Sequence, residues 1–269
     1  MYDSTAIADL REQLVRAAEH DLYADAFTTA GVDPTDVDTW EAFQSIPLTE
    51  SEDLKADFEE HGPEGSLYTP GAMLSFSPLG EDLAPMFDTR ADLEYEAGVN
   101  ADVFEAAGID PGDRVLNAFG YTLFGTGLLL QRGFEKMGAE VIPAGPGDSE
   151  QAADLIDEYG VDVLVGNPSF AMKIAEAGGS VDTFVGAGEP FTSIPGYRED
   201  VKTALDCETA VDYFGTSHVM PIAAETAAED GLVVADDYAI IEIVDPDTGD
   251  PLPVGERGDR HDVSGSKVI

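Results

Sequence analysis

Five short apolar runs decide the fold class of this sequence: RVLNAF (114–119), EVIP (140–143), VDVLV (161–165), TFV (183–185) and TAVDY (209–213). Runs of this length that are rich in β-branched residues are typical of buried strands. Apolar residues with helical spacing lie between them, over residues 124–137, 149–159, 169–177 and 195–205. Because strands that alternate with helices form βαβ units, the sequence predicts an α/β fold with a parallel sheet and flanking helices.

The regions on either side of this alternation are predicted to be helical before it and β-rich after it. Apolar residues recur with helical spacing over residues 4–30, 49–58 and 88–107. Residues 231–234 and 238–244 flank acidic turns and predict an antiparallel pair. The chain is therefore divided into a helical N-terminal part (1–70), an α/β core (71–230), an antiparallel β segment (231–258) and a divergent tail (259–269).

The chain is strongly acidic, with 55 Asp and Glu against 13 Lys and Arg and a formal net charge of −42. About a quarter of its residues are Leu, Val, Ile or Phe, which is enough to build a core. Such a surface repels phosphate backbones and anionic lipids, so nucleic-acid and membrane-surface binding are excluded. Acid spread along the chain predicts a haloarchaeal-type protein of a salt-rich cytoplasm, because molar salt screens self-repulsion. An ordinary acidic protein at low salt is the alternative.

Composition also argues against three other classes of protein. Cys207 is the single Cys, which excludes a disulfide framework and favours a buried structural thiol. The N-terminus shows no basic stretch followed by an apolar one, so no signal peptide is expected. The longest mostly apolar run, residues 119–130, is too short to span a bilayer.

Each predicted strand is followed by a segment that contains Gly. These segments are residues 120–125, 145–147, 166–169, 186–190 and 214–218. In open parallel sheets, ligands bind beyond the carboxyl ends of the strands, so these segments predict a ligand crevice. The alternative is that Gly only ends the strands, as it does in many turns.

Several motifs occur in an order that is typical of one enzyme family. They are IPLTESEDL (46–54), NAFGYTLF (117–124), GAEVIP (138–143), GNPSFA (166–171), GEPFT (188–192) and DPDTGDPLP (245–253). Through them the chain resembles the phenylacetate–CoA ligase family of adenylate-forming enzymes. The resemblance implies the large N-terminal domain of such an enzyme and a homodimer. It also implies activation of a carboxylate with Mg-ATP to an acyl-adenylate and transfer of the acyl group to CoA.

The loop that binds phosphates in this family ends in Gly-Lys-Pro, and residues 75–82 (SFSPLGED) match it here. Ser75, Ser77 and Gly80 remain as remnants of that loop, but Glu81 replaces the Lys and Asp82 replaces the Pro. Attack on a phosphate needs donors and cations to spread its negative charge. The resemblance therefore predicts a degraded ATP site, and an ordinary surface turn is the alternative.

The metal-binding motif of the family, Tyr-Gly-x-Ser/Thr-Glu, is matched by FGTSH (214–218). His218 stands where the family has the Glu that helps to hold Mg²⁺. Because Mg²⁺ prefers oxygen ligands, no metal site is predicted here. A structural role for His218 is the alternative to a role as ligand or base. The resemblance further implies that the family's C-terminal domain is absent, since the tail at 259–269 matches nothing in the family.

The positions that line the carboxylate and adenine pockets of the family are better preserved. They are Tyr121, Phe124, Gly186, Ala187, Gly188, Glu189, Pro190, Tyr213, Phe214, Gly215, Thr216 and Ser217. An aromatic slot lined by Gly suits a flat apolar acid or a nucleobase. Core packing is the alternative for Tyr121 and Phe124.

Together these matches and departures favour a relative that binds an aryl or acyl carboxylate, CoA, ATP or AMP, or a partner ligase subunit, without forming the adenylate. The first alternative is a working acyl-CoA ligase whose C-terminal domain is encoded separately. The second is the product of a decaying gene fragment.

Overall fold

A computed structural model describes residues 4–236, 238–245 and 251–252. The chain forms two compact units. Of the described residues, those within 1–70, 78–85 and 240–269 form the first unit. Those within 71–77 and 86–239 form the second, called here the sheet unit. The predicted boundaries at 70, 230 and 258 remain a prediction.

In the described part of the chain, the first unit begins with four α-helices, α1 (Ser4–Ala17), α2 (Asp21–Ala30), α3 (Trp40–Gln44) and α4 (Ser51–His61). The helical spacing predicted over residues 4–30 is present but interrupted at His20, where the backbone is extended. The helix predicted over residues 49–58 is α4, and the Glu50 N–H donates to Asp53 at its start over 2.7 Å. Leu14, Val37 and Phe43 are almost completely buried in the core of this unit.

Two strands, β1 (Met73–Leu79) and β2 (Asp82–Asp88), form a two-stranded sheet. The sequence did not predict them, because residues 75–82 were interpreted as a binding loop. The alternating burial of β1, with Ser75, Ser77 and Leu79 buried, is that of a half-buried strand. The match to the family loop is therefore a strand followed by a tight turn.

The remaining elements alternate between helix and strand as the sequence predicted up to residue 214, and the α/β fold class is confirmed. They are α5 (Arg90–Ala106), β3 (Arg114–Asn117), α6 (Thr126–Met137), β4 (Glu140–Ile142), α7 (Ser149–Tyr159), β5 (Val163–Gly166), α8 (Pro168–Glu176), β6 (Thr183–Ala187), α9 (Tyr197–Leu205), β7 (Thr209–Phe214), β8 (Ala223–Glu225) and β9 (Leu232–Val234). Seven strands form one sheet in the order β4-β3-β5-β6-β7-β8-β9. The first five are parallel, and β8 and β9 are antiparallel to their neighbours.

The sheet is buried on both faces, which is why its strands read as continuous apolar runs. One face, with Val163 and Val185, packs with α5 and α6, where the rings of Phe104 and Phe134 stack at 3.8 Å. The opposite face, with Leu164, packs with α7, α8 and α9. No helix in the described part of the chain is both long enough and apolar enough to cross a bilayer.

The antiparallel segment after residue 230 is only partly as predicted. Strand β9 falls within the predicted 231–234 and pairs with β8. Strand β8 was not predicted, because its sequence, Ala-Ala-Glu, is not typical of a strand. The strand predicted over residues 238–244 is wrong: within the described residues, Val244 makes only an isolated antiparallel bridge to Pro251. Apolar composition alone did not supply the row of backbone partners that a strand needs. The turn at 246–250 and the tail at 259–269 lie outside the described residues.

Candidate functional site at the carboxyl edge of the sheet

The five parallel strands place the five predicted segments at one edge of the sheet, beyond the strand ends. Residues 120–125 follow β3, and residues 166–169 and 186–190 begin at the C-terminal ends of β5 and β6. Residues 145–147 follow β4, and residues 214–218 begin at the last residue of β7. This edge is where open parallel sheets bind ligands.

The segment after β3 is fixed by Asn117, which is completely buried. Its Nδ2 donates to the Gly127 carbonyl over 2.9 Å, and its Oδ1 accepts from the Phe119 N–H over 3.0 Å. The backbone is so crowded that a Cβ on Gly127 would lie 2.9 Å from the Phe119 carbonyl oxygen and closer still to that of Gly120. Strand β1 adjoins this segment, since the Phe76 N–H donates to the Leu123 carbonyl over 3.1 Å.

The two aromatic side chains of this segment differ in exposure. Phe124 is 42% exposed, so the interpretation of this residue as core packing is wrong. Tyr121 is half-buried, and among the described residues no hydrogen bond reaches its buried hydroxyl. Burial raises the pKa of Tyr121 to about 12. The nearby Asn117 side chain lowers this pKa, but by less. Tyr121 therefore stays a neutral phenol.

The segments after β5 and β6 are joined to each other by side chains. Asn167 Nδ2 donates to the Ala187 carbonyl over 3.0 Å. Glu189 accepts from the Ser169 hydroxyl over 2.7 Å and from its backbone N–H over 3.1 Å, at the start of α8. Of the predicted ligand contacts here, Gly186 and Ala187 are buried, whereas Gly188, Glu189 and Pro190 are exposed.

The segment after β7 begins in the core and ends in solvent. Tyr213 is buried, and its hydroxyl donates to Asn100 Oδ1 over 2.7 Å, so its polar end lies in the core. Phe214, Gly215 and Thr216 are half-buried, and Ser217 and His218 are exposed. The His218 side chain is accessible to solvent. Desolvation by the surrounding protein nevertheless lowers its pKa from 6.5, so the imidazole is mainly neutral at pH 7.

Ion pairs link helix α9 to Glu225 in β8 and to Glu229 after it, and no local sequence pattern predicted them. Arg198 Nη2 lies 2.6 Å from both carboxylate oxygens of Glu225, which is buried in β8. Lys202 Nζ donates to Glu229 over 2.8 Å. The partners are 27 residues apart, so only the folded topology brings them together.

The turn between β1 and β2 carries the predicted loop remnant Gly80 and the two acidic residues that follow it. Gly80 has φ +67°, and both Glu81 and Asp82 are exposed. Lys55 Nζ lies 3.9 Å from the place that a Cβ on Gly80 would occupy. That ammonium is itself 3.8 Å from Glu52, so its charge is partly offset by a neighbouring acid.

The residues present do not fit Mg²⁺ or a triphosphate. Within the described ranges, no group of three or more His, Cys, Asp or Glu is placed to hold a metal ion, and His218 offers a nitrogen where Mg²⁺ prefers oxygen. The five edge segments contain no Lys or Arg. The edge can offer aromatic surface, hydroxyl groups and backbone donors to a small ligand.

Comparison with known proteins agrees with the architecture. The chain is 30% identical to the phenylacetate–coenzyme A ligase of Escherichia coli K12 over 256 residues, which covers 88% of this chain and 57% of the relative. The chain is a homologue of phenylacetate–coenzyme A ligases. The Thermus thermophilus enzyme is 31% identical over 254 residues, covering 88% of this chain and 55% of that protein. The chain thus spans about half the length of the curated relatives that it matches.

Solved structures show the same fold. A 2-hydroxyisobutyryl-CoA ligase in complex with 2-HIB-AMP superposes with a TM-score of 0.88 at 23% identity, over 95% of this chain and 58% of the other. The same ligase in an open conformation, in complex with 2-HIB-AMP and CoA, superposes with a TM-score of 0.86 at 23% identity, over 94% of this chain and 63% of the other. No protein-family model matches the chain. The fold is that of adenylate-forming enzymes.

Proposed function

We propose that this protein is a member of the phenylacetate–CoA ligase family that binds a small carboxylate or a nucleotide at the carboxyl edge of the sheet without forming the acyl-adenylate on its own. The observation that carries the proposal is the charge of the edge. Its five segments contain no Lys or Arg, and the residue at the metal-holding position is a mainly neutral His218.

Charge at the β1–β2 turn supports the same conclusion. By resemblance, this turn corresponds to the loop at which relatives hold phosphate, and here it carries Glu81 and Asp82. Two unit charges about 4 Å apart interact by about 4 kcal/mol at an effective dielectric of 20. Exchanging an attraction for a repulsion therefore weakens triphosphate binding strongly, and exposure to solvent reduces this effect.

The side chains that remain at the edge favour an apolar acid. Phe124 is an exposed ring, Tyr121 is a neutral phenol, and Thr216 and Ser217 supply hydroxyl groups. An aryl carboxylate such as phenylacetate combines a flat ring with one anionic group that hydroxyl and backbone donors can bind. The family resemblance extends the proposal to a homodimer, or to pairing with a ligase subunit, in a salt-rich cytoplasm.

Calorimetric titration of the purified protein in about 2 M KCl tests the binding, since salt of this order screens the acidic surface. Phenylacetate and AMP are the probes, and benzyl alcohol, which lacks the carboxylate, is the control. Saturable binding of phenylacetate or AMP, accompanied by a higher melting temperature, is the expected result. If neither probe binds, the proposal is contradicted, and the alternative that the chain is the product of a decaying gene fragment is favoured.

A further inference from the structure

The loop that carries His218 is closed at its base by its own backbone. This β7–β8 loop comprises residues 215–222, between the end of β7 and the start of β8. The Ile222 N–H donates to the Phe214 carbonyl over 2.9 Å, and the Thr216 N–H donates to the Val219 carbonyl over 2.8 Å. These bonds give the loop its shape but do not attach it to the helices behind the sheet.

That attachment is made by Asn100, a completely buried side chain in α5. Its Oδ1 accepts from the Tyr213 hydroxyl over 2.7 Å, just before the loop begins. Its Nδ2 donates to the Met220 carbonyl over 3.0 Å, near the end of the loop. One amide side chain therefore holds both ends of the loop.

The position of Asn100 is itself tightly determined. Its Nδ2 also donates to the Glu96 carbonyl one turn earlier in α5, over 3.1 Å. Helix α6 passes so close that a Cβ on Gly133 would lie 2.5 Å from Asn100 Cβ. Since a buried side chain with all its polar atoms bonded has little freedom to move, the loop inherits its position from α5.

From this geometry we infer that Asn100 is a positioning residue for the candidate site, which fixes the β7–β8 loop and so sets where Thr216, Ser217 and His218 stand. Its relevance to ligand binding rests on the proposed function. The clamp itself is a property of the fold and can be measured without a ligand.

Hydrogen exchange of the loop amides tests the clamp directly. Asn100→Asp removes the donor to Met220, and Tyr213→Phe removes the donor to Asn100 while preserving ring volume. Each lost bond is expected to speed exchange of the Thr216 and Ile222 amides about fivefold, which corresponds to about 1 kcal/mol. Tyr213→Phe introduces no buried charge, so it keeps the test valid even if Asn100→Asp does not fold.

Ile174→Val is the matched control, since Ile174 is completely buried in α8, away from the loop. This variant is expected to speed only the amides that exchange through global unfolding. If Tyr213→Phe speeds the loop amides no more than Ile174→Val does, Asn100 is not a clamp and the inference is overturned.

Titration of the same variants with phenylacetate and AMP separates the two proposals. Faster loop exchange with at least threefold weaker binding supports both. Faster loop exchange in a protein whose wild type binds neither probe supports the clamp and overturns the proposed function. Unchanged affinity in a variant with a loosened loop overturns the positioning role.

Discussion

Glu96 is a carboxyl group in the core of the sheet unit, only 7% exposed, in the middle of α5. Among the described residues, no hydrogen-bond partner reaches its Oε1. Burial raises the pKa of Glu96 from 4.5 to about 8, and Asp88 and Asp92 add to this, whereas Arg132 opposes it. Glu96 is therefore a neutral acid at pH 7, which is how a buried carboxyl avoids the penalty of an unpaired charge.

The stability of the protein is expected to depend on pH through Glu96. The folded state holds this proton more tightly, so its stabilising effect is complete below pH 4.5 and is lost as pH rises to about 8. Glu96→Gln, which cannot ionise, should remove this component, so that the free energy of unfolding of the wild type relative to the variant falls with rising pH. Urea unfolding between pH 5 and 9 measures the difference. Glu105→Gln, at an exposed position of the same helix, is the control, and parallel curves for the wild type and Glu96→Gln would refute the assignment.

Gly127 is a second residue whose identity is set by its surroundings. Its Cβ would collide with the backbone carbonyls of Phe119 and Gly120, which begin the segment after β3. Gly127→Ala is expected to lower the free energy of unfolding by about 1–3 kcal/mol, as overpacking does. Gly98→Ala, also within a helix but with open space around it, should instead raise it by about 0.4–1 kcal/mol. Urea unfolding measures the free energy of unfolding of the two variants. Equal changes would show that the backbone near Gly127 moves to accommodate the added methyl group.

The β1–β2 turn carries Glu81 and Asp82, which by resemblance stand where relatives have Lys and Pro. Glu81→Lys reverses one exposed charge at this turn, beside Lys55. Because the site is open to solvent, we expect ATP and AMP to bind about three- to tenfold more tightly rather than by the full Coulomb factor. Asp154→Lys makes the same charge change on the exposed face of α7. Titration of both variants with ATP and AMP measures the change in affinity. Equal gains in affinity would assign the effect to net charge and would contradict a phosphate position at this turn.

Elements of the parallel sheet could be predicted because their apolar period and length are local properties. Strands β3 to β7 fall where the apolar runs lie, and the helices between them differ from prediction by a few residues. The β1–β2 pair could not be predicted, since Pro78 and the buried Ser75 and Ser77 do not form an apolar alternation. Strand β8 is only three residues long and depends on its two neighbours in the sheet.

The candidate site could be located from the sequence but not assembled. Topology alone places the five segments at one edge, because all parallel strands end there. The pairing of Ser169 with Glu189 depends on the register of β5 and β6. Asn100 is 113 residues from Tyr213, and a single Asn in a helix carries no signal of such a partner. Long-range side-chain contacts are consequences of packing, which a local pattern does not encode.

At the scale of the whole molecule, the net charge of −42 opposes compaction unless salt screens it. The Debye length falls from about 10 Å at 0.1 M to about 3 Å at 1 M. We expect screening to raise the melting temperature by at least about 10 °C between 0.1 and 2 M KCl. At about 2–4 °C per kcal/mol, this corresponds to about 2.5–5 kcal/mol of added stability. Calorimetry or circular dichroism in a KCl series measures it, with sucrose as a control for solute exclusion. A melting temperature independent of salt would contradict adaptation to a salt-rich cytoplasm.

We propose that this chain does not form an acyl-adenylate on its own. Carboxylate-dependent exchange of pyrophosphate into ATP measures that reaction. The purified protein is assayed in about 2–4 M KCl, where the acidic surface is screened, with phenylacetate and with or without Mg²⁺. A salt-tolerant carboxylate–CoA ligase serves as the positive control. We expect no exchange above that of a blank without protein. Exchange that requires both phenylacetate and Mg²⁺ would contradict it and would establish a working adenylation site.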